Sequence, residues 1–112
     1  MLAVDETSFN FINLAESRAD NLLSLLNNRA SKTLYRDASN VLRFIQYDVD
    51  WDTVTYYRQF NRNAMGSLTS IQTFAGGTFN SIALTLTGGT LIPQGTRTFG
   101  RTGGRLSSIT VT

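Results

Sequence analysis

All nine glycines and the only proline lie at or after Gly66, and the first 65 residues contain neither. Glycine supplies the positive φ that tight turns need, and proline punctuates strands and helices. Such a partition predicts a chain in two parts, with turn-rich structure confined to the second.

The second part carries a repeat. GSLTSIQT (66–73), GTFNSIALT (77–85) and GRLSSITVT (104–112) share Gly, any residue, Leu or Phe, a small polar residue, then Ser-Ile. A degenerate copy, GTLIPQ (89–94), loses Ser-Ile to Pro93. Gly-Gly pairs at 76–77, 88–89 and 103–104 mark three of the four starts. Spacings of 11, 12 and 15 residues suit a strand plus a turn. Ile71, Ile82 and Ile109 are thereby expected to be equivalent and buried. The Leu or Phe at the third position and the Ile at the sixth have opposite parity on a regular strand. Either a bulge follows the glycines or both faces of the sheet are covered.

The first part reads as helix. Ile12, Ala15, Ala19, Leu22 and Leu26 form one apolar stripe, which Leu23 and Leu25 widen. Thr7 or Ser8 is the candidate cap, and Asn27-Asn28 the stop. Leu34, Ala38, Val41 and Ile45 form a second stripe, capped by Ser31 or Thr33. Two antiparallel helices are the expected product. From Tyr47 the period changes: Tyr47, Val49 and Trp51 alternate with Asp48, Asp50 and Asp52, as on a strand with one acidic face. TVTYYRQF (53–60) reads as the next strand in preference to a helix. The expected fold is α+β, a single domain over 1–112. Its helical part is 1–46, and its β-rich part 47–112 carries the Gly-led strand repeat.

Charge is divided as well. All eight acids lie in residues 1–52, while residues 53–112 hold five arginines and no acid. From Asn63 to Thr96 no residue is charged. A solvated surface normally mixes both signs, so such a stretch is expected to be covered by something. Nine arginines to one lysine favours paired or stacked contacts at an interface.

Enzymatic chemistry finds little support. With no Cys and no His there is no disulfide, no thiolate ligand and no imidazole base. GTRTFGRT (95–102) lies one residue from a P-loop, with Arg101 in place of Lys. It lacks a following helix, since GGRLSSITVT is another strand copy, and the second half has no acid for Mg²⁺. DVDWD (48–52) opens like a calcium loop but places Thr53 and Gln59 where Gly and Glu are required. No catalytic residue, cofactor or metal is expected. MLAVDETSF carries two acids and no basic residue, unlike a secretory signal, and no apolar run is long enough to span a membrane.

The candidate residues are those of an interface: Tyr56, Tyr57, Arg58 and Arg62 in YYRQFNR, with Arg97, Arg101 and Arg105 against Asp48, Asp50 and Asp52. Tyr and Arg are the residues that protein interfaces enrich. The expected function is a non-enzymatic structural subunit of a large assembly, with a viral or phage particle as its setting. Its partners would be other protein subunits, copies of itself among them, and no membrane. One alternative is a small single-stranded nucleic-acid-binding module that uses the Tyr/Arg cluster. A second follows from RTGGRLSSI (101–109), which resembles the end of the linker domains of light-harvesting antennae and implies a small antenna linker.

Overall fold

The computed structural model describes residues 22–112. One short helix, α1 (22–28), precedes eight strands. These are β1 (Ser31–Arg36), β2 (Leu42–Asp48), β3 (Tyr56–Arg62), β4 (Leu68–Ala75), β5 (Thr78–Asn80), β6 (Thr85–Thr87), β7 (Thr90–Thr102) and β8 (Arg105–Val111). Six of them form one antiparallel sheet, β1-β2-β3-β4-β7-β8, and β5-β6 form a separate hairpin. The expectation of two amino-terminal helices is therefore overturned. α1 stops at Asn28, at the Asn-Asn pair. Ile12, Ala15 and Ala19 of the first stripe lie outside the described residues. The second stripe, Leu34 to Ile45, is the β1–β2 hairpin.

That hairpin turns at Asp37-Ala38-Ser39-Asn40. Asp37 Oδ1 accepts the N–H groups of Ser39 (2.9 Å) and Val41 (3.0 Å), and Asn40 takes φ +64°. The β3–β4 turn is built in the same way. Asn63 Oδ1 accepts from Met65 (2.9 Å) and Ser67 (3.0 Å), and Gly66 takes φ +86°. Asx side chains that bond their own backbone, followed by a left-handed residue, fix the reversal in both. Arg36 Nη1 donates to Asn40 O (3.3 Å), and Arg62 Nη1 to Gly66 O (3.1 Å).

The two sequences match as well. RDASNVLRFIQ (36–46) and RNAMGSLTSIQ (62–72) share Arg, Ala, Leu, Ile and Gln at the same places. The β7–β8 hairpin is a third version with a shorter turn, RTGGRLSSI (101–109). In all three the strand after the turn carries one extra residue. Leu42 pairs Arg36 while Phe44 pairs Tyr35; Leu68 pairs Arg62 while Ser70 pairs Asn61; Leu106 pairs Arg101 while Ser108 pairs Gly100. The bulges fall at Arg43, Thr69 and Ser107, and each brings its Leu and the following Ile to one face. The parity conflict in the repeat is thus resolved by a bulge.

GTFNSIALT follows a different course. Its Ile82 lies in the β5–β6 turn, 94% exposed, and Ile109 is 55% exposed on an edge strand. Ile71 is half-buried. The expected common burial of Ile71, Ile82 and Ile109 is therefore wrong. Gly77 has a different task. A Cβ there would sit 2.7 Å from Gly89 N, so the two glycine backbones close the neck of the β5–β6 hairpin.

Both faces of the β1–β4 region are covered. On one, Leu26 of α1 and Ala30 just after it pack against Tyr47 and Tyr56, with Ile45, Trp51, Val54 and Ala75 around them. On the other, Phe79 of β5 packs its ring 4.8, 4.9 and 5.3 Å from those of Tyr35, Phe44 and Tyr57. The alternation expected for 47–52 ends early: β2 stops at Asp48, and 49–55 is a loop. The reading of 53–60 as strand holds from Tyr56.

Candidate interaction surface

The repeat lays its side chains on the α1 face in a recurring order. Strand register places Leu34, Ile45, Arg58 and Thr73 in one row across β1 to β4. Phe60, Ile71, Arg97 and Val111 form the equivalent row across β3, β4, β7 and β8. Each row reads apolar, Ile, cation, then a fourth residue. A third row begins with Phe99 and Ile109 and then stops, because β8 is the sheet edge.

This end of the face is open. All seven residues of β8 are exposed. Leu106, Ile109 and Val111 present 52, 55 and 46% of their surface. Exposed apolar side chains that lie together on one strand, unlike scattered ones, mark interaction surfaces. The reciprocal bonds between Thr96 and Thr112 (3.2 and 2.9 Å) fix which backbone groups are free. Antiparallel pairs alternate, so Thr110 and Ser108 bond to β7 while Ile109 and Val111 turn N–H and C=O outward. β1, at the opposite edge, is exposed at five of its six residues.

The structure separates the members of YYRQFNR. Tyr56 and Tyr57, each 8% exposed, point to opposite faces and belong to the two cores. Arg58 lies on the α1 face, stacked 5.5 Å over the Tyr47 ring and 3.5 Å from Asn27 Oδ1. Arg62 is tied to its own turn, and Arg101 Nη2 donates to Leu68 O (3.0 Å). Among the described residues, Arg97 and Arg105 have neither an ion pair nor a side-chain hydrogen bond. Arg58 and Arg97 share the wall of a cavity of about 290 Å³ with Asn27, Leu23 and the buried Thr73.

The acids are largely spoken for locally. Asp50 pairs Arg29 at 3.3 Å, and Arg29 also lies 5.4 Å over Trp51. Both partners of that pair are well exposed, so it contributes about 1 kcal/mol at most. Asp52 accepts from its own loop at Thr53 N (2.7 Å) and from Tyr56 Oη (3.4 Å). Asp48 accepts from Gln46 Nε2 (3.2 Å). Among the described residues, no three potential metal-ligating side chains cluster. GTRTFGRT lies inside β7, where its backbone serves a ladder and cannot cradle phosphate. No helix among the described residues is long and apolar enough to cross a membrane.

Phe99, Leu106, Ile109 and Val111 lie at the β7–β8 end of this face, though the sequence did not single them out as site residues. The shared pattern R-[DN]-A-x-[NG]-x-L-x-x-I, read across both halves, is the signal that locates the rows.

Burial raises the pKa of the Tyr47 phenol against an opposing pull from Arg58. Burial and then Asp52 raise Tyr56; burial, Asp48 and Tyr35 raise Tyr57. The fold therefore favours the neutral phenols. Their contribution is complete below the unfolded value near 10.0 and is lost as pH rises through the higher folded values. Stability is expected to fall once pH exceeds about 10. In Tyr47→Phe that alkaline fall should be shallower when followed by denaturant titration, and an unchanged slope would contradict the burial assigned to Tyr47.

No protein-family model matches the chain, and neither the curated proteins nor the solved structures contain a detectably similar protein. The class rests on the fold alone: an antiparallel sheet of repeated hairpins with an open apolar edge.

Proposed function

We propose that the protein is a non-enzymatic structural subunit that associates with copies of itself, as a component of a viral or phage particle. The observation that carries this reading is β8. It is an edge strand of seven exposed residues, with three large apolar side chains on one face. Its only charge is Arg105, at its start. Free-standing proteins usually guard such an edge with lysine, proline or an inward-facing charge. The uncharged stretch 63–96, most of it in β4 to β7, supports the same reading.

The nucleic-acid alternative loses its stacking platform, because Tyr56 and Tyr57 are both buried. The antenna-linker alternative has only RTGGRLSSI, which is accounted for as a hairpin.

Sedimentation at micromolar concentration tests the proposal. The expected result is a concentration-dependent mass above the 12.4 kDa monomer. Ile109→Pro removes an N–H that β7 does not use, and should shift the protein toward monomer by at least about tenfold in dissociation constant. A monodisperse monomer for the unaltered chain would refute the reading.

A further inference from the structure

We infer that the copies join head to tail, β8 of one pairing antiparallel with β1 of the next, in a register that sets Ile109 opposite Lys32. This rests on the self-association proposed above and specifies its geometry.

The register comes from the repeat. Lys32, Arg58 and Arg97 each stand four residues before the hairpin arginines Arg36, Arg62 and Arg101. Each pairs with the equivalent position of the strand that follows: Lys32 with Tyr47, Arg58 with Thr73, Arg97 with Val111. Between hairpins the junction is also constant, since Ile45 pairs Arg58 and Ile71 pairs Arg97. Ile109 is the third such isoleucine, and among the described residues no strand pairs with the outer side of β8. Lys32 is the third such cation, and among the described residues no strand pairs with the outer side of β1. Joining the two completes the third row as Phe99, Ile109, Lys32 and Tyr47, the last two from the neighbouring copy.

The groups at both edges suit this pairing. Ile109 turns its N–H and C=O outward. Lys32 is exposed along with its neighbours in β1. Its ammonium donates to Asn27 O (2.8 Å) and lies 6.0 Å over Tyr47, much as Arg58 reaches Asn27 and stacks on the same ring. The cation is therefore already held on the α1 face, where the row requires it. An isologous β8–β8 pair would instead leave β1 open and break the order of the rows. A head-to-tail contact does not close on itself in a dimer, so it builds rings or filaments.

The chain has no cysteine, so introduced thiols report the contact without background. The register puts Ser108 opposite Thr33 as a non-hydrogen-bonded pair, with Cα atoms about 4.5 Å apart, within reach of a disulfide. Ser108→Cys and Thr33→Cys chains are mixed in a glutathione redox buffer, and the covalent dimers are resolved by mass. Ser108→Cys mixed with Ser31→Cys serves as the control, a diagonal pair at about 7–8 Å. The expected result is a mixed dimer of Ser108→Cys with Thr33→Cys, formed at least about tenfold faster than the control. A dominant Ser108→Cys self-dimer, or equal coupling to Ser31→Cys, in a sample that sedimentation shows to be associated would overturn the register and leave self-association standing. Monomer by sedimentation with no cross-link would overturn both.

Discussion

Leu26→Ala is expected to cost about 3–5 kcal/mol, at the upper end of what truncating a buried leucine costs. Leu26 is fully buried against Ala30, Tyr47 and Tyr56. Emptying the site removes the transfer energy of its methyl groups and leaves a cavity that two tyrosines flank. The loss has a second source. The described helix, 22–28, is short, and a short helix in water depends on its packed face. Leu26 is that face's one fully buried residue. Since small domains hold only about 5–15 kcal/mol in total, the variant should unfold at much lower denaturant with a similar slope. A loss below about 1 kcal/mol, short of what a buried leucine costs, would mean that α1 does not rest on the sheet.

Phe79→Ala is expected to free the β5–β6 hairpin at a cost of about 3 kcal/mol. Two strands of three residues form no stable unit alone, and this pair shares no ladder with the six-stranded sheet. Its hold on the sheet centres on one ring set against those of Tyr35, Phe44 and Tyr57, each such aromatic contact contributing about 1 kcal/mol beyond burial. Amide exchange should accelerate across 78–87 while β2 and β3 stay protected. Uniform acceleration of the whole sheet would instead show that the hairpin and the sheet unfold as one unit.

How much of this fold was legible follows from the bulges. On a regular strand, residues on one face fall two apart. The bulge at Arg43 puts Leu42 and Ile45 on one face three apart, a helical spacing. In 31–48 no glycine marks the turn, because Asn40 takes the left-handed position, so Leu34, Ala38, Val41 and Ile45 read as a helix stripe. The same bulge in 66–73 and 104–109 is announced by Gly66 and Gly104, and those segments read as strands. The site divided along the same line. Arg58 and Arg97, read from composition as interface candidates, stand at equivalent places in the two rows on the α1 face. Tyr56 and Tyr57 were misplaced on the surface, since adjacent strand residues face opposite ways and this strand has a core on each side. Ile109 is expected to be buried from the repeat it shares with Ile71 and Ile82; nothing local in the repeat shows that β8 lies at the edge of the described sheet.

Backbone amide exchange on β8, followed as a function of protein concentration, tests the assembly most directly. Thr110 bonds to β7 in a single copy and should be protected at every concentration. The Ile109 N–H points away from β7 and finds a partner only when another strand adds to the edge. Ile109 is expected to exchange freely in dilute solution and to become at least about tenfold slower as the protein is concentrated into its associated form. Ile109 exchange that stays fast at concentrations where the mass has risen would contradict it, placing the contact between copies somewhere other than the edge of β8.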